Sequence, residues 1–120
     1  MIWNKRDSGN LYETKALNFL EDKGFILLER NFYIKGGELD LIMRDQDFIV
    51  FVEVRSLKFN EDRDIYSTLS SSKKKNLSKT INHWLYKNKM QDCPWRFDYV
   101  GVTIKEGEYS IEHFEFVSLN

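Results

Sequence analysis

The chain of 120 residues is long enough for one domain with one apolar core, and its content of 42% hydrophobic and 15% aromatic residues excludes an intrinsically disordered protein. We therefore predict a single domain over residues 1–120. The formal net charge of −1 excludes a uniformly basic nucleic-acid-binding surface.

Apolar periodicity and turn-forming residues predict an α/β chain with the order helix, three strands, helix, two strands. The predicted boundaries are a helix over 8–23 that ends at Gly24, strands over 25–33, 38–44 and 48–55, a helix around Leu77, Ile81, Trp84 and Leu85 with Ser70 to Ser72 as N-cap candidates, and strands over 95–104 and 109–116. The segment 56–69 is polar and irregular in pattern.

The sequence also excludes several kinds of site and location. The longest uncharged apolar run, Phe48 to Val52, is far too short to cross a bilayer, and no apolar secretory segment follows the first charged residues. We therefore expect a cytoplasmic protein without a membrane partner. A single cysteine and two histidines cannot form a Cys/His zinc cluster, so a metal would need oxygen ligands.

Charge is distributed unevenly along the chain. Residues 65–90 contain six lysines and no Asp or Glu, whereas the remainder holds 12 basic residues against all 19 acidic ones. The lysine-rich segment would offer a polyanion one basic surface. The alternative is a solvated helix face that binds nothing.

Two acidic residues interrupt apolar strands. The run from Phe48 to Val54 is apolar on both faces, as is typical of a central strand, yet Glu53 lies within it. Asp40 interrupts the leucine and isoleucine run of the preceding strand in the same way. Because burying an unpaired carboxylate costs several kcal/mol, each acid requires a cation, a metal or a proton as its partner.

The hairpin between these two strands decides whether the acids meet. A two-residue turn on Asp45-Gln46 would place Asp40 opposite Phe51. Glu53 is then the diagonal neighbour of Asp40 on the same face, which is close enough for two carboxylates to converge on one cation. A three-residue loop would put the two acids on opposite faces and remove the site.

Two further residues complete a candidate catalytic site. Glu13 lies on the apolar stripe of the first helix, so its side chain points at the sheet. Arg55 follows Glu53 by two residues and lies on the same side of its strand. Three carboxylates beside a guanidinium form an oxygen-rich site suited to Mg²⁺ or Mn²⁺, which can activate water and neutralise a phosphate in phosphodiester hydrolysis.

Structural interpretations compete with a metal site. Glu13 could belong to a capping-box variant over residues 10–13 and fold back on the start of its helix. Asp40 and Glu53 could instead be neutralised in a structural ion-pair network by nearby cations, namely Arg55, Lys58 or Arg96.

Five motifs follow one another in an order that resembles a known family. They are Gly9-x-x-x-Glu13, Gly24-Phe25 leading to Arg30-Asn31, Gly37-Glu38-Leu39-Asp40-Leu41-Ile42, Phe51-Val52-Glu53-Val54-Arg55 and Arg96-Phe97-Asp98. Together they resemble the YraN family of small bacterial proteins and, more distantly, the archaeal Holliday-junction resolvases. Both groups belong to the restriction-endonuclease-like superfamily with PD-(D/E)xK active sites, and the resemblance covers about residues 9–116.

The resemblance implies a restriction-endonuclease-like αβββαβ core with a central mixed sheet flanked by helices. Within it, Asp40 and Glu53 bind the divalent metal and Glu13 assists from the first helix. The position of the catalytic lysine falls on Arg55, which stays charged at physiological pH but can still stabilise charge on a transition state.

One position departs from the family pattern, and for one motif of the pattern we expect a structural role. A second basic residue usually follows the catalytic position by two residues, whereas here Leu57 stands there and Lys58 comes one later. For Arg96 and Asp98 we expect an ion pair that steadies the fourth strand.

We expect a metal-dependent nuclease-like domain that acts on DNA, branched or otherwise structured, in DNA processing or repair. The predicted catalytic residues are Glu13, Asp40, Glu53 and Arg55, and the predicted nucleic-acid-binding residues are Lys58, Lys73, Lys74, Lys75 and Lys79. One rival is a non-catalytic nucleic-acid-binding module that keeps the fold, and another is a protein-interaction adaptor. Resolvases of the superfamily are dimers because junctions have twofold symmetry, which leaves a homodimer open here.

Overall fold

The computed structural model describes residues 5–57 and 69–120, and within these ranges the order of elements is the predicted one. The elements are α1 (Lys5–Asp22), β1 (Ile26–Ile34), β2 (Gly37–Asp45), β3 (Phe48–Leu57), α2 (Ser71–Lys87), β4 (Trp95–Lys105) and β5 (Glu108–Phe114). In the same ranges, neither helix is long and apolar enough to span a bilayer.

The five strands form one mixed sheet in the order β1-β2-β3-β4-β5. β3 and β4 are parallel, and the other neighbouring strands are antiparallel. A parallel pair needs a crossover connection, which here includes α2. The predicted α/β class is confirmed, and the architecture is consistent with a restriction-endonuclease-like fold.

The two helices cover opposite faces of the central strands. On one face, Leu41 and Val52 pack in a cluster with Leu17 and Leu20 of α1. On the other face, the alternate residues of β2 and β3 form a second cluster with the apolar stripe of α2, which comprises Leu77, Ile81, Trp84 and Leu85. β3 is therefore buried on both sides, as its unbroken apolar sequence predicts.

Both helices have ends that their sequences explain. α1 begins at Lys5, earlier than the predicted residue 8, and ends before Gly24, which has φ +97° as a terminating glycine does. Glu13 therefore lies in the middle of α1, far from the unpaired N–H groups of the first turn, and the capping-box interpretation is wrong. α2 begins after Ser70, whose Oγ accepts a hydrogen bond of 3.1 Å from the Lys73 N–H.

The β2–β3 hairpin turns one residue later than predicted. Asp45 pairs with Phe48, so the two-residue turn is Gln46-Asp47 rather than Asp45-Gln46. Because the loop length is the same, the faces are unchanged, and Asp40 and Glu53 still share one face. Extending the register places them directly opposite each other rather than on a diagonal.

The β1–β2 turn is pressed against α2. Gly36 has φ +85°, a conformation that side-chain-bearing residues rarely adopt. A Cβ atom on Gly37 would collide with the hydroxyl of Thr80, which itself donates a hydrogen bond of 2.6 Å to the Asn76 carbonyl. The turn is thus held at a fixed distance from the first half of α2.

Candidate active site

The candidate site lies where β2 and β3 separate. Their paired residues run from Asp45–Phe48 to Leu41–Val52. Beyond that point, β2 continues along β1 and β3 continues along β4. The Val54 N–H instead donates a hydrogen bond of 2.9 Å to Oδ2 of Asp40. Asp40 is thereby held at the mouth of the opening between the strands.

Asp40 and Glu53 meet across this opening. The Asp40 carboxyl hydrogen-bonds the Glu53 carboxylate, whose residue is only 4% exposed. Burial, the hydrogen bond to Glu53 and the negative charge of Glu53 raise the pKa of Asp40 to about 8, although the Val54 N–H acts in the opposite direction. Asp40 therefore keeps a proton near neutral pH unless a cation takes its place.

Two more carboxylates approach Asp40 from other directions. One oxygen each from Glu13, Glu38 and Asp40 lie within 4.8 Å of one another. Burial raises the pKa of Glu13, the charge of Arg30 lowers it, and the charge of Glu38 raises it further. Arg30 Nη2 lies 3.8 Å from Glu13 Oε1. Four acids from α1, β2 and β3 thus surround one small space.

The cations of the site lie around Glu53. Lys73 Nζ is 2.7 Å from Glu53 Oε2, and Arg55 Nη2 is 3.4 Å from the same oxygen. Both basic side chains keep solvent contact, with 36% exposure for Lys73 and 42% for Arg55. Glu53 therefore has two cationic neighbours that can also face a ligand in the opening.

The first turn of α2 is basic, although acidic residues are usually favoured at the N-terminus of a helix. The first turn contains Lys73 and Lys74 and no acidic residue, and Lys75 follows directly. A helix N-terminus carries partial positive charge and is stabilised by anions, so clustered lysines at this end oppose the dipole. The combination favours an external anion near the start of α2.

A cavity connects the acids with this helix end. Its volume is about 430 Å³. Its walls are the end of β1, the β1–β2 turn, the separated parts of β2 and β3, and the first half of α2. The lining residues are Tyr33, Gly36, Gly37, Glu38, Asp40, Glu53, Val54, Arg55, Lys73, Asn76 and Leu77.

The donor set fits a hard divalent cation. Carboxylate oxygens are the ligands that Mg²⁺ and Mn²⁺ prefer. Glu53 Oε2 faces Lys73 Nζ at 2.7 Å, whereas Glu13 Oε1 is buried, accepts no hydrogen bond among the described residues and lies 3.8 Å from Arg30 Nη2. The carboxylates of Glu13, Glu38 and Asp40 approach one another, and Asp40 also meets Glu53, so the oxygens of these four residues are the candidate ligands for such a cation.

Arg96 belongs to a different network. Its Nε donates a hydrogen bond of 3.1 Å to Asp98 Oδ1, and its Nη2 donates one of 3.1 Å to Asp45 Oδ2. Asp98 also lies 2.8 Å from His113 Nε2 and accepts a hydrogen bond from the Phe116 N–H. The expected Arg96–Asp98 ion pair on the fourth strand is present, and Arg96 pairs with these acids rather than with Asp40 or Glu53.

The structure brings together most of the predicted site residues. Asp40, Glu53 and Arg55 line one cavity, and Glu13 reaches Asp40 from α1 without lining it. The predicted set of lysines separates in space. Lys73 faces the acids, Lys75 and Lys79 are exposed, Lys74 is half-buried, and Lys58 lies outside the described residues.

Two residues of the site, Glu38 and Tyr33, were not predicted, and Lys73 was predicted to bind nucleic acid but not to contact Glu53. Glu38 precedes Asp40 by two residues, so both lie on one face of a strand. Lys73 precedes Leu77 by four residues, which places it on the apolar stripe of α2 rather than on its outer face. Tyr33 has no comparable signal, because its position depends on how the β1–β2 turn meets α2.

Comparison with known proteins gives a consistent family match. The sequence model of "Uncharacterised protein family UPF0102" matches residues 12–102. The UPF0102 protein of Carboxydothermus hydrogenoformans is 32% identical over 117 residues, covering 95% of this chain and 97% of that protein. The UPF0102 protein of Aliivibrio fischeri strain ES114 is 41% identical over 101 residues, covering 82% of both chains. The UPF0102 protein of Caldicellulosiruptor saccharolyticus is 39% identical over 102 residues, covering 82% of this chain and 84% of that protein.

Proposed function

The chain belongs to the UPF0102 family of YraN-like proteins, and we propose that it is a nuclease that hydrolyses phosphodiester bonds in DNA with Mg²⁺ or Mn²⁺. We place it in the restriction-endonuclease-like superfamily with PD-(D/E)xK sites, to which its motifs and its α/β architecture are similar. The proposed DNA is branched or otherwise structured, and the proposed setting is DNA processing or repair.

One observation carries the proposal: the carboxylates of Glu38, Asp40 and Glu53 line an opening that also faces a basic helix end, and Glu13 approaches Asp40 from behind it. A structural ion-pair network pairs each buried charge with a partner. Here Asp40 instead faces the acids Glu13, Glu38 and Glu53, and burial together with the hydrogen bond and charge of Glu53 raises the pKa of Asp40 to about 8. Retaining such repulsion is costly, which favours a cation and an anionic substrate as the ligands of the site.

Each side chain has a role that its position supports. Asp40 and Glu53 would hold the metal, and Glu13 would orient Asp40 from α1. When bound, the metal supplies charge neutralisation and activation of water. Lys73 and Arg55 are within reach of a phosphate beside Glu53 and would offset the charge that develops on it. Exposed Lys75 and Lys79 would hold the flanking backbone.

The proposal is tested with four DNA substrates. The protein is incubated with branched, nicked, single-stranded and duplex DNA, each with Mg²⁺, Mn²⁺ or EDTA. We expect cleavage only with metal, its loss in Glu53→Gln, and its retention in Glu21→Gln, a control on the exposed side of α1. Absence of cleavage of all four substrates with either metal would overturn the hydrolase proposal.

A second candidate function is a DNA-binding module without turnover. The contact of 2.7 Å between Lys73 and Glu53 favours it, because an ammonium group there neutralises the acid without a metal. Such a module would bind DNA equally with metal and with EDTA. Measuring the binding of the same four DNA substrates with metal and with EDTA, beside their cleavage, separates the two functions.

A further inference from the structure

Tyr33 is an exposed aromatic residue on the wall of the cavity. It is the one aromatic residue among the described residues that line this space. Its exposure is 62%, so much of the phenol ring meets solvent. Large aromatic rings are more often buried, and one kept exposed beside a polar cavity is suited to bind a planar group.

The ring lies next to the acidic cluster. Tyr33 pairs directly with Glu38 across the β1–β2 ladder. Glu38 in turn has a carboxylate oxygen within 4.8 Å of one from Asp40. A phosphate held beside Asp40 and Glu53 would therefore have its neighbouring nucleotide near Tyr33.

The backbone under Tyr33 is held in place. The turn that follows it is pressed against α2, where Gly37 leaves no room for a Cβ beside Thr80. Tyr33 itself is in β1 and Gly37 begins β2, so both ends of the turn are in the sheet. An aromatic ring on a fixed backbone stacks on a ligand with less loss of entropy than one on a loose loop.

The shape of the site favours an unpaired nucleotide over a duplex. Glu53 is 4% exposed, so a scissile phosphate has to enter the cavity. The cavity volume of about 430 Å³ falls in the range of pockets for small molecules, so the cavity can hold one nucleotide, whereas a duplex could present only its backbone to it. The bases of a single strand can splay apart and stack on aromatic side chains, whereas duplex bases are already stacked and paired.

We propose that Tyr33 forms a nucleobase-stacking subsite, and that the substrate carries an unpaired nucleotide beside the phosphate held by Asp40 and Glu53. This inference rests on the proposed nuclease function and narrows its substrate to single strands, flaps or the unpaired nucleotides of a branch. The subsite recognises the π-face of a base, so it has little preference for base identity.

The test is equilibrium binding measured by fluorescence anisotropy, with Ca²⁺ and separately with EDTA. The probes are a labelled oligothymidylate, the same backbone with abasic residues, and a duplex. Tyr33→Ala is compared with Tyr33→Phe and Tyr33→Leu, and Tyr86→Ala is the matched control. Tyr86 is 75% exposed on α2 and does not line the cavity.

We expect Tyr33→Ala and Tyr33→Leu to weaken oligothymidylate binding by about 10-fold or more, and Tyr33→Phe and Tyr86→Ala to leave it nearly unchanged. The abasic strand should bind parent and Tyr33→Ala alike. Because Tyr33 is exposed, its variants should keep the unfolding midpoint of the parent, and Tyr33→Leu keeps an apolar strand residue if the alanine variant does not fold.

The outcomes separate the two proposals. If the parent cleaves DNA and Tyr33→Ala binds oligothymidylate as the parent does, the stacking subsite is wrong and the nuclease stands. If loss of the ring weakens oligothymidylate binding but no DNA is cleaved with either metal, the subsite stands and the hydrolase is wrong. Equal losses on duplex and abasic probes would overturn the stacking role.

Discussion

The carboxyl group of Asp40 hydrogen-bonds the carboxylate of Glu53 at the point where their two strands separate. The main-chain N–H of Val54, which no longer pairs with β2, donates to Asp40 instead. The separation of the strands therefore both creates the opening and fixes an acid in it. The predictions below follow from this pair and its neighbours.

The first prediction concerns pH. The pKa of Asp40 is about 8 in the folded chain, against about 3.9 in an unfolded one. The folded state thus holds a proton that the unfolded state releases, so stability falls as pH rises from about 4 to about 8. Between pH 5 and pH 8, the free energy of unfolding of Asp40→Asn should rise by about 1 to 3 kcal/mol relative to that of the parent. Urea denaturation at each pH measures the difference. If the unfolding free energies of parent and Asp40→Asn change in parallel with pH, the raised pKa of Asp40 is wrong.

The second prediction concerns metal. Mn²⁺ or Mg²⁺ should raise the unfolding midpoint of the parent, and more at pH 8 than at pH 6, because a ligand carboxyl must first lose its proton. Glu53→Gln should abolish the rise, and the exposed control Glu21→Gln should keep it. A calcium-free thermal shift assay with EDTA as the reference measures both. A rise that survives in Glu53→Gln would place the metal elsewhere.

Glu53→Gln also tests whether the acid is a structural partner. Stranding a fully buried cation costs roughly 3 to 5 kcal/mol. Lys73 and Arg55 keep 36% and 42% exposure and can turn to water, and the substitution removes repulsion against Asp40. We therefore expect Glu53→Gln, measured without metal, to lower the free energy of unfolding by less than about 3 kcal/mol. If Glu53→Gln lowers the free energy of unfolding by the full range of roughly 3 to 5 kcal/mol relative to the parent, Glu53 is the partner in a structural ion pair.

The third prediction separates two lysines of α2. Lys73 contacts Glu53, whereas Lys79 is exposed. Lys73→Met should lower the cleavage rate by about 100-fold, a size typical of losing one group that stabilises transition-state charge. Lys79→Met should instead weaken DNA binding and reduce the slope of log K against log salt by about 0.7 for single strands or 0.9 for duplex. Equal effects of the two variants on both quantities would contradict this division.

The fourth prediction concerns the second network. Arg96 and Asp98 are 6% and 0% exposed and hydrogen-bond each other. Arg96→Met or Asp98→Asn should destabilise the protein by about 1 to 3 kcal/mol, because each removes one partner of a buried charge that keeps its other contacts, Asp45 for Arg96 and His113 for Asp98. Urea denaturation measures the loss, with exposed Asp92→Asn as the control. Losses below about 1 kcal/mol would show that solvent reaches the pair.

Much of the fold and part of the site could be predicted from sequence. They depend on the spacing of apolar residues along a helix and on the alternation of side chains between the two faces of a strand. Apolar spacing predicted α2, with the N-cap Ser70 among three candidate serines, and an even loop length kept Asp40 and Glu53 on one face. The turn itself was misplaced by one residue. Turn-forming residues occur at 45, 46 and 47, and the sequence does not say which two form the turn.

The remainder depends on contacts between distant elements. The position of Lys73 beside Glu53 requires α2 to dock on one face of β3, and no local pattern fixes that docking. Glu13 was assigned to the sheet side of α1 by its spacing, but its closeness to Glu38 depends on the separation of β2 from β3. Tyr33 depends on the same separation and on the fit of Gly37 against Thr80.

The two kinds of strand pairing in the sheet also affect the order in which the site forms during folding. The hairpin that links Asp40 to Glu53 closes across two residues, and such hairpins form in about 1 to 10 microseconds. The parallel pairing joins Ile49 to Trp95 and closes a much longer loop, at a larger entropic cost. At about 5 to 20 residues per second, a ribosome needs seconds to make the chain between these two residues. We expect the acidic half of the site to form during synthesis, and the lysine that faces it to dock only when the crossover closes.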